Sequence, residues 1–201
     1  MDTLIAAENF RSQIKQFVTF TDEEWELFKK HIHYKPLKKK AFFAEEGKVC
    51  DEIGFIAKGS VRYFHVRDGV DITGYFSFEN EFVSSYKSFL TQLPGSNYIQ
   101  ALEDSLILTI KYKSWHEMLE EPRIAYKIER FGRLIAEYYL CCYEDRVTAF
   151  ITQTPEERYL KLLETGRDIL FRIPQHYVAN FLGITPVSLS RIRKRILTPH
   201  Q

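Results

Sequence analysis

Cysteine is scarce in this chain. Only Cys50, Cys141 and Cys142 occur, an odd number without metal-ligand spacing, and two adjacent residues are poorly placed to bond to each other. A disulfide framework is therefore excluded, and reduced thiols are expected. Long apolar runs are missing as well: none approaches the roughly 18–20 residues a membrane span needs. The opening Met1-Asp2-Thr3 lacks the basic-then-apolar layout of a secretion signal. The expected location is the cytoplasm, with no membrane partner. No nucleophile-elbow, Walker or HExxH spelling is present. Of six histidines only His65 falls in a clear strand pattern, so the convergent ligands that a cupin-like metalloenzyme needs are not visible. No catalytic residue, metal or required cofactor is assigned, and an enzyme is kept only as a competing class. At 201 residues the chain also falls short of the about 250 of a (β/α)₈ barrel.

What is present is ordinary soluble composition, 45% apolar and 27% charged. The net charge of +1 conceals an asymmetry, because residues 154–201 carry 8 Lys+Arg against 4 Asp+Glu and the remainder is slightly acidic. The basic charge is concentrated at the C-terminal end.

Three segments follow from the patterning. Residues 1–122 open with short helices, where Thr21-Asp22-Glu23-Glu24 spells a capping box. From about 41 to 113, short alternating runs are punctuated by Gly47, Gly59, Asp68-Gly69 and Pro94-Gly95, the signature of an antiparallel sandwich or barrel. Residues 123–153 form a long helical stretch, and Ile124, Ile128, Phe131, Ile135, Tyr138 and Cys142 fall on alternating four- and three-residue steps. That seam predicts a homodimer paired along the helix; packing on the strand domain is the alternative. Residues 154–201 begin with Thr154-Pro155-Glu156-Glu157, a cap, a first-turn proline and two first-turn acids together.

The most specific stretch runs from Pro174 to Ile196. Pro174 can open one helix and Gly183 end it, after which Thr185 caps a second helix that starts at Pro186. Ala179 is small where the helices would cross, and Val178, Leu182, Ile184, Leu189, Ile192 and Ile196 supply their contacts. This is a helix-turn-helix. Val187, Ser190, Arg191 and Lys194 share the outward face of the second helix, which contains no acid. Such a helix docks in the major groove of double-stranded DNA. Arg191 is the candidate base reader, Arg193, Lys194 and Arg195 attract phosphate, and Thr185 can meet a phosphate at the helix start. Ser188 lies in the same first turn.

Together with Glu46-Gly47-Lys48-Val49-Cys50-Asp51-Glu52-Ile53-Gly54-Phe55-Ile56-Ala57-Lys58-Gly59-Ser60-Val61, these features make the chain resemble the Crp/Fnr family of transcription regulators. The resemblance implies an α+β protein: an N-terminal antiparallel β-roll that senses an effector, a long dimerisation helix and a C-terminal helix-turn-helix domain. It also implies that Pro186, Val187 and Arg191 face the bases and that RNA polymerase is a partner. The same alignment puts Ser84, Ser85 and Tyr86 where members that bind cyclic AMP have Gly-Glu-Leu, and Gly95 and Ser96 where they have Arg-Ser or Arg-Thr. Without those charged contacts the phosphate and ribose lose their partners, so cyclic AMP is not expected as the effector. A different small molecule, no ligand, or a weakly retained cyclic nucleotide remain open. An iron–sulfur sensor is disfavoured because no cysteine precedes Cys50. Only Leu197 to Gln201 follow the recognition helix, so a wing hairpin is either absent or built from residues 165–173. A sensor module without a DNA-binding role is the alternative function.

Overall fold

A computed structural model describes residues 3–197 of the chain. The opening Met1-Asp2 and the tail from Thr198 to Gln201, on which two of the readings above fall, lie outside the described residues. Two helices, α1 (Thr3–Ile14) and α2 (Asp22–Lys29), lead into β1 (His33–Leu37), β2 (Phe42–Ala44), β3 (Glu52–Lys58), β4 (Val61–Arg67), β5 (Val70–Ser77) and β6 (Phe82–Val83). A short helix α3 (Tyr86–Thr91) precedes β7 (Tyr98–Ala101) and β8 (Ser105–Lys111). The remainder is helical: α4 (Tyr112–Leu119), α5 (Ala125–Thr152), α6 (Pro155–Thr165), α7 (Arg167–Arg172), α8 (Gln175–Phe181) and α9 (Pro186–Leu197).

Local chemistry explains most of these boundaries. The Thr21 hydroxyl accepts from Glu24 N while the Glu24 side chain accepts from Thr21 N, and Thr154 with Glu157 repeats the reciprocal pair at the start of α6. Asp68 and Gly69 both take positive φ, 53° and 75°, the left-handed pair that a type I′ hairpin between β4 and β5 requires. Pro36 sits within β1 at the edge of its sheet, where a missing donor breaks no ladder.

The strands form two four-stranded antiparallel sheets, ordered β1-β8-β3-β6 and β2-β7-β4-β5. They face each other without closing into a barrel. Between them lie Ile56, Val61, Val83, Ile99 and Ile107. The first sheet turns its other face to α1, α2, α4 and the start of α5, where Phe10, Trp25, Phe28, Phe55 and Met118 pack. The second sheet turns its other face to the C-terminal helices, and Phe76 and Phe78 share a core with Val178, Phe181, Leu182 and Leu189.

Two expectations change. Ile124, Ile128 and Phe131 are buried in the chain's own first core, so the first half of the proposed seam cannot also face a second copy. Ile135 packs beside them, and Tyr138 touches the Phe17 ring at 6.4 Å between centroids. The periodicity located an apolar face, but its partner is the N-terminal helix pair. Beyond that point α5 exposes a different stripe, Leu140, Tyr143, Val147 and Ile151, again on four- and three-residue steps. Residues 165–173, the alternative location for a hairpin wing, run from the end of α6 through helix α7 (Arg167–Arg172) and form no hairpin.

Phe131, 1% exposed, meets the rings of Phe17, Phe28, Phe82 and Trp115 at 5.8–6.3 Å. Phe131→Ala is predicted to lower unfolding stability by about 3–5 kcal/mol, read as a shifted urea midpoint at low protein concentration.

Candidate nucleic-acid interface and effector segment

The two helices α8 and α9 meet at Gly183, whose φ of 74° is a left-handed turn. Thr185 Oγ1 accepts from Ser188 N at 3.1 Å and lies 3.0 Å from the Ser188 hydroxyl, closing the cap of α9. Leu189 and Ile192 are buried in the shared core and Ile196 packs against it. The opposite face, Val187, Ser190, Arg191 and Lys194, is exposed.

The four basic residues of α9 divide into two classes. Arg193 donates to Gln175 Oε1 at 2.7 Å, and Arg195 is ion-paired with Glu156 of α6. These two lie on the flanks of the helix and brace it against its own domain. Arg191 and Lys194 project with no ion pair among the described residues. Thr185, Pro186 and Val187 are exposed beside them, whereas Ser188 is half-buried by its capping role. The chain thus engages both flanking arginines, with the charge of Arg195 balanced by Glu156, and leaves the outward face positive.

Sequence reasoning missed the residues that hold this unit in place. Arg146 of α5 donates to the Phe181 carbonyl at 2.9 Å with its guanidinium 3.7 Å from the Phe181 ring centre. Arg158 of α6 donates to the Leu182 carbonyl at 2.9 Å and stacks on Phe150. Both cations satisfy the last carbonyls of α8, the negative end of its dipole. Burial pushes the Arg146 pKa down to about 10.

On the other side, Arg172 of α7 grips both carboxylate oxygens of Glu79, at 2.6 and 3.0 Å, and reaches Glu103 at 2.6 Å. Burial opposes the charge on both glutamates. Hydrogen bonds outweigh it, from Arg172 and then Gly59 N at Glu79, and from the Ser60 hydroxyl and then Arg172 at Glu103, so both pKa values lie below the ordinary carboxylate range. A contact made across 93 and 69 residues of sequence leaves no mark in local periodicity.

Among the residues offered for an effector, several polar groups bond within the chain itself. Ser84 donates to the Glu52 carbonyl at 3.1 Å and Ser85 to Asn97 Oδ1 at 2.6 Å. Gly95 exchanges backbone bonds with Lys48 and Gly47, both at 2.9 Å, and the Ser96 carbonyl lies 2.6 Å from His65 Nδ1. Tyr86 begins α3 with its side chain exposed. Asn97, His65 and Ser88, whose hydroxyl donates to the Leu93 carbonyl at 2.6 Å, complete the segment; none was assigned from sequence. Residues 84–97 contain no arginine. No group of three or more His, Cys, Asp or Glu capable of holding a metal occurs among the described residues, and none of their helices is long and apolar enough to cross a membrane.

No family model matches the sequence, and no curated protein matches it. Solved structures do. FixK2 from Bradyrhizobium japonicum superposes with a TM-score of 0.70 at 17% identity, covering 83% of this chain and 84% of that one. The c-di-GMP-responsive global regulator CLP of Xanthomonas campestris gives 0.65 at 14%, covering 86% and 89%. A chain described as a transcriptional regulator of the Crp/Fnr family, from Eubacterium rectale, gives 0.62 at 14%, covering 94% and 88%. The chain has the Crp/Fnr fold. What is shared at these identities is architecture: the superpositions extend over most of each chain, so the Crp/Fnr arrangement spans roll, long helix and helix-turn-helix together.

The Arg172 fork sets an acid response. Carboxylates whose pKa is depressed on folding add stability above their unfolded pKa and lose it as pH falls through the folded value. Arg172→Gln is therefore predicted to melt below the native chain at pH 7, with the gap closing as pH falls below about 4. Thermal melts of both chains from pH 7 to 3 measure it.

Proposed function

We propose that the chain is a homodimeric DNA-binding transcription regulator of the Crp/Fnr type. The observation that carries this reading is the outward face of α9. Arg191 and Lys194 stand exposed with no ion pair among the described residues, while Arg193 and Arg195 are taken up by Gln175 and Glu156. An exposed positive face without carboxylates on a helix-turn-helix suits a phosphate-lined groove. Arg191 can give guanine O6 and N7 two hydrogen bonds, Lys194 meets phosphate, and Pro186, Val187 and Ser190 approach base edges.

The partner helix is a second copy of α5. Leu140, Tyr143, Val147 and Ile151 are an exposed apolar stripe along its distal half, the kind of surface a symmetric pair covers. Pairing there would carry two recognition helices toward successive major grooves about 34 Å apart. Bound to its operator in the cytoplasm, the dimer recruits or blocks RNA polymerase; it is not an enzyme. The roll does not use cyclic AMP: the segment from Ser84 to Ser96 has no arginine for a phosphate, and the Ser84 and Ser85 hydroxyls bond to the protein itself.

Binding to mixed-sequence DNA is expected to weaken steeply with salt as phosphate contacts are lost; weak binding at every salt concentration would sink the reading. Arg191→Ala should relax preference at one base position, at a cost of about 1–3 kcal/mol, measured by selection from a random library. Tyr143→Glu should give monomers in sedimentation with the fold intact by circular dichroism.

A further inference from the structure

β5 lies at the edge of its sheet, next to β4 alone. An uncovered edge exposes backbone donors and acceptors to stray pairing, and here the helix-turn-helix covers it. Asn180 of α8 accepts from Thr73 N through Oδ1 and donates through Nδ2 to the Asp71 carbonyl at 2.9 Å. Its side-chain amide thus stands in for the peptide group of a neighbouring strand. One turn earlier, the Arg62 guanidinium lies 4.0 Å from the Tyr177 ring centre and 3.9 Å from that of Phe64. Arg62 is 1% exposed, donates to Asp71 at 2.7 Å, and has no partner for Nε or Nη1 among the described residues. Phe76 meets Phe181 at 5.3 Å between ring centres, and the Arg172 fork on Glu79 and Glu103 closes the far end of the contact.

We infer that this clamp is the line of communication between the roll and the recognition helix, and that it acts by preorganisation. The inference rests on the DNA-binding reading. The docked position leaves Val187, Ser190, Arg191 and Lys194 exposed, so the roll does not block the DNA face. It fixes the direction in which that face points. Fixing the direction before DNA arrives removes orientational freedom that binding would otherwise have to remove, so the clamped chain binds more tightly than a loosened one. A cleft of about 190 Å³ runs beside the clamp, lined by Tyr75, Phe76, Glu81, Gly166, Asp168 and Phe181. Movement of β5 reaches α8 directly through Asn180 and Tyr177, without first passing along the long helix.

The test compares the full-length chain with Asn180→Ala and Arg172→Gln by hydrogen exchange and by DNA binding at fixed salt. Asn180→Ala is expected to speed exchange at the Thr73 amide by at least about tenfold, leave β3 and β8 unchanged, and weaken DNA binding by about five- to tenfold. Arg172→Gln, at the opposite end of the clamp, should weaken DNA binding in the same direction, and it decides the matter if Asn180→Ala fails to fold. Unchanged protection of β5 in the variants overturns the clamp. Faster exchange with undiminished DNA affinity overturns its coupling to recognition. Should the native chain ignore DNA at every salt concentration, the functional reading falls, and the exchange data alone still decide whether the clamp exists.

Discussion

The outer face of the β2-β7-β4-β5 sheet cannot be left to water. It carries Arg62 and Phe76 as cross-strand partners, with Phe64 stacked on the arginine. Burying such a face against helices provides the apolar contact that a small C-terminal unit lacks by itself. Phe76 and Phe78 are therefore as much part of the helix-turn-helix core as Leu182 or Leu189. The remaining helices arrange themselves around this requirement: α7 reaches across to Glu79, and α8 lies along β5.

Architecture was legible where local chemistry is strong. The capping boxes at Thr21 and Thr154, the Asp68-Gly69 turn and the left-handed Gly183 each express one backbone preference and appear where the spelling put them. Legibility failed where an element's identity depends on what it touches. β1 contains a proline and follows a helical stretch, and it is a strand because β8 pairs with it from residue 105 onward. Residues 167–172 are short and mixed, and their helical state is fixed by the Arg172 fork and by Ile169 and Leu170 against the shared core. The seam on α5 was a correct apolar face with the wrong partner, since Ile124, Ile128 and Phe131 serve the N-terminal helices.

Charge was the hardest feature to read. Local sequence counts every arginine as solvated, yet Arg62 and Arg146 are held among aromatic rings and Arg193 and Arg195 are engaged within the domain. Delocalised and weakly hydrated, a guanidinium tolerates such stacking where an ammonium would not. Subtracting the engaged arginines sharpens the picture of α9, because the two basic residues left projecting are the ones on its outward face. The serines of the effector segment follow the same logic: a hydroxyl in a loop suggests a ligand until its acceptor is found in the chain.

The joints of α5 have a mechanical consequence. Its first turns are fixed to the roll through Phe131, and Tyr139 accepts from Phe82 N at 2.9 Å. Further along, Arg146 fastens it to the end of α8, and α8 is in turn fastened to β5. Roll, rod and recognition unit therefore form a closed triangle, each side pinned to the other two. A triangulated frame has no hinge that can swing alone, so any displacement must be shared among all three joints or must break one of them.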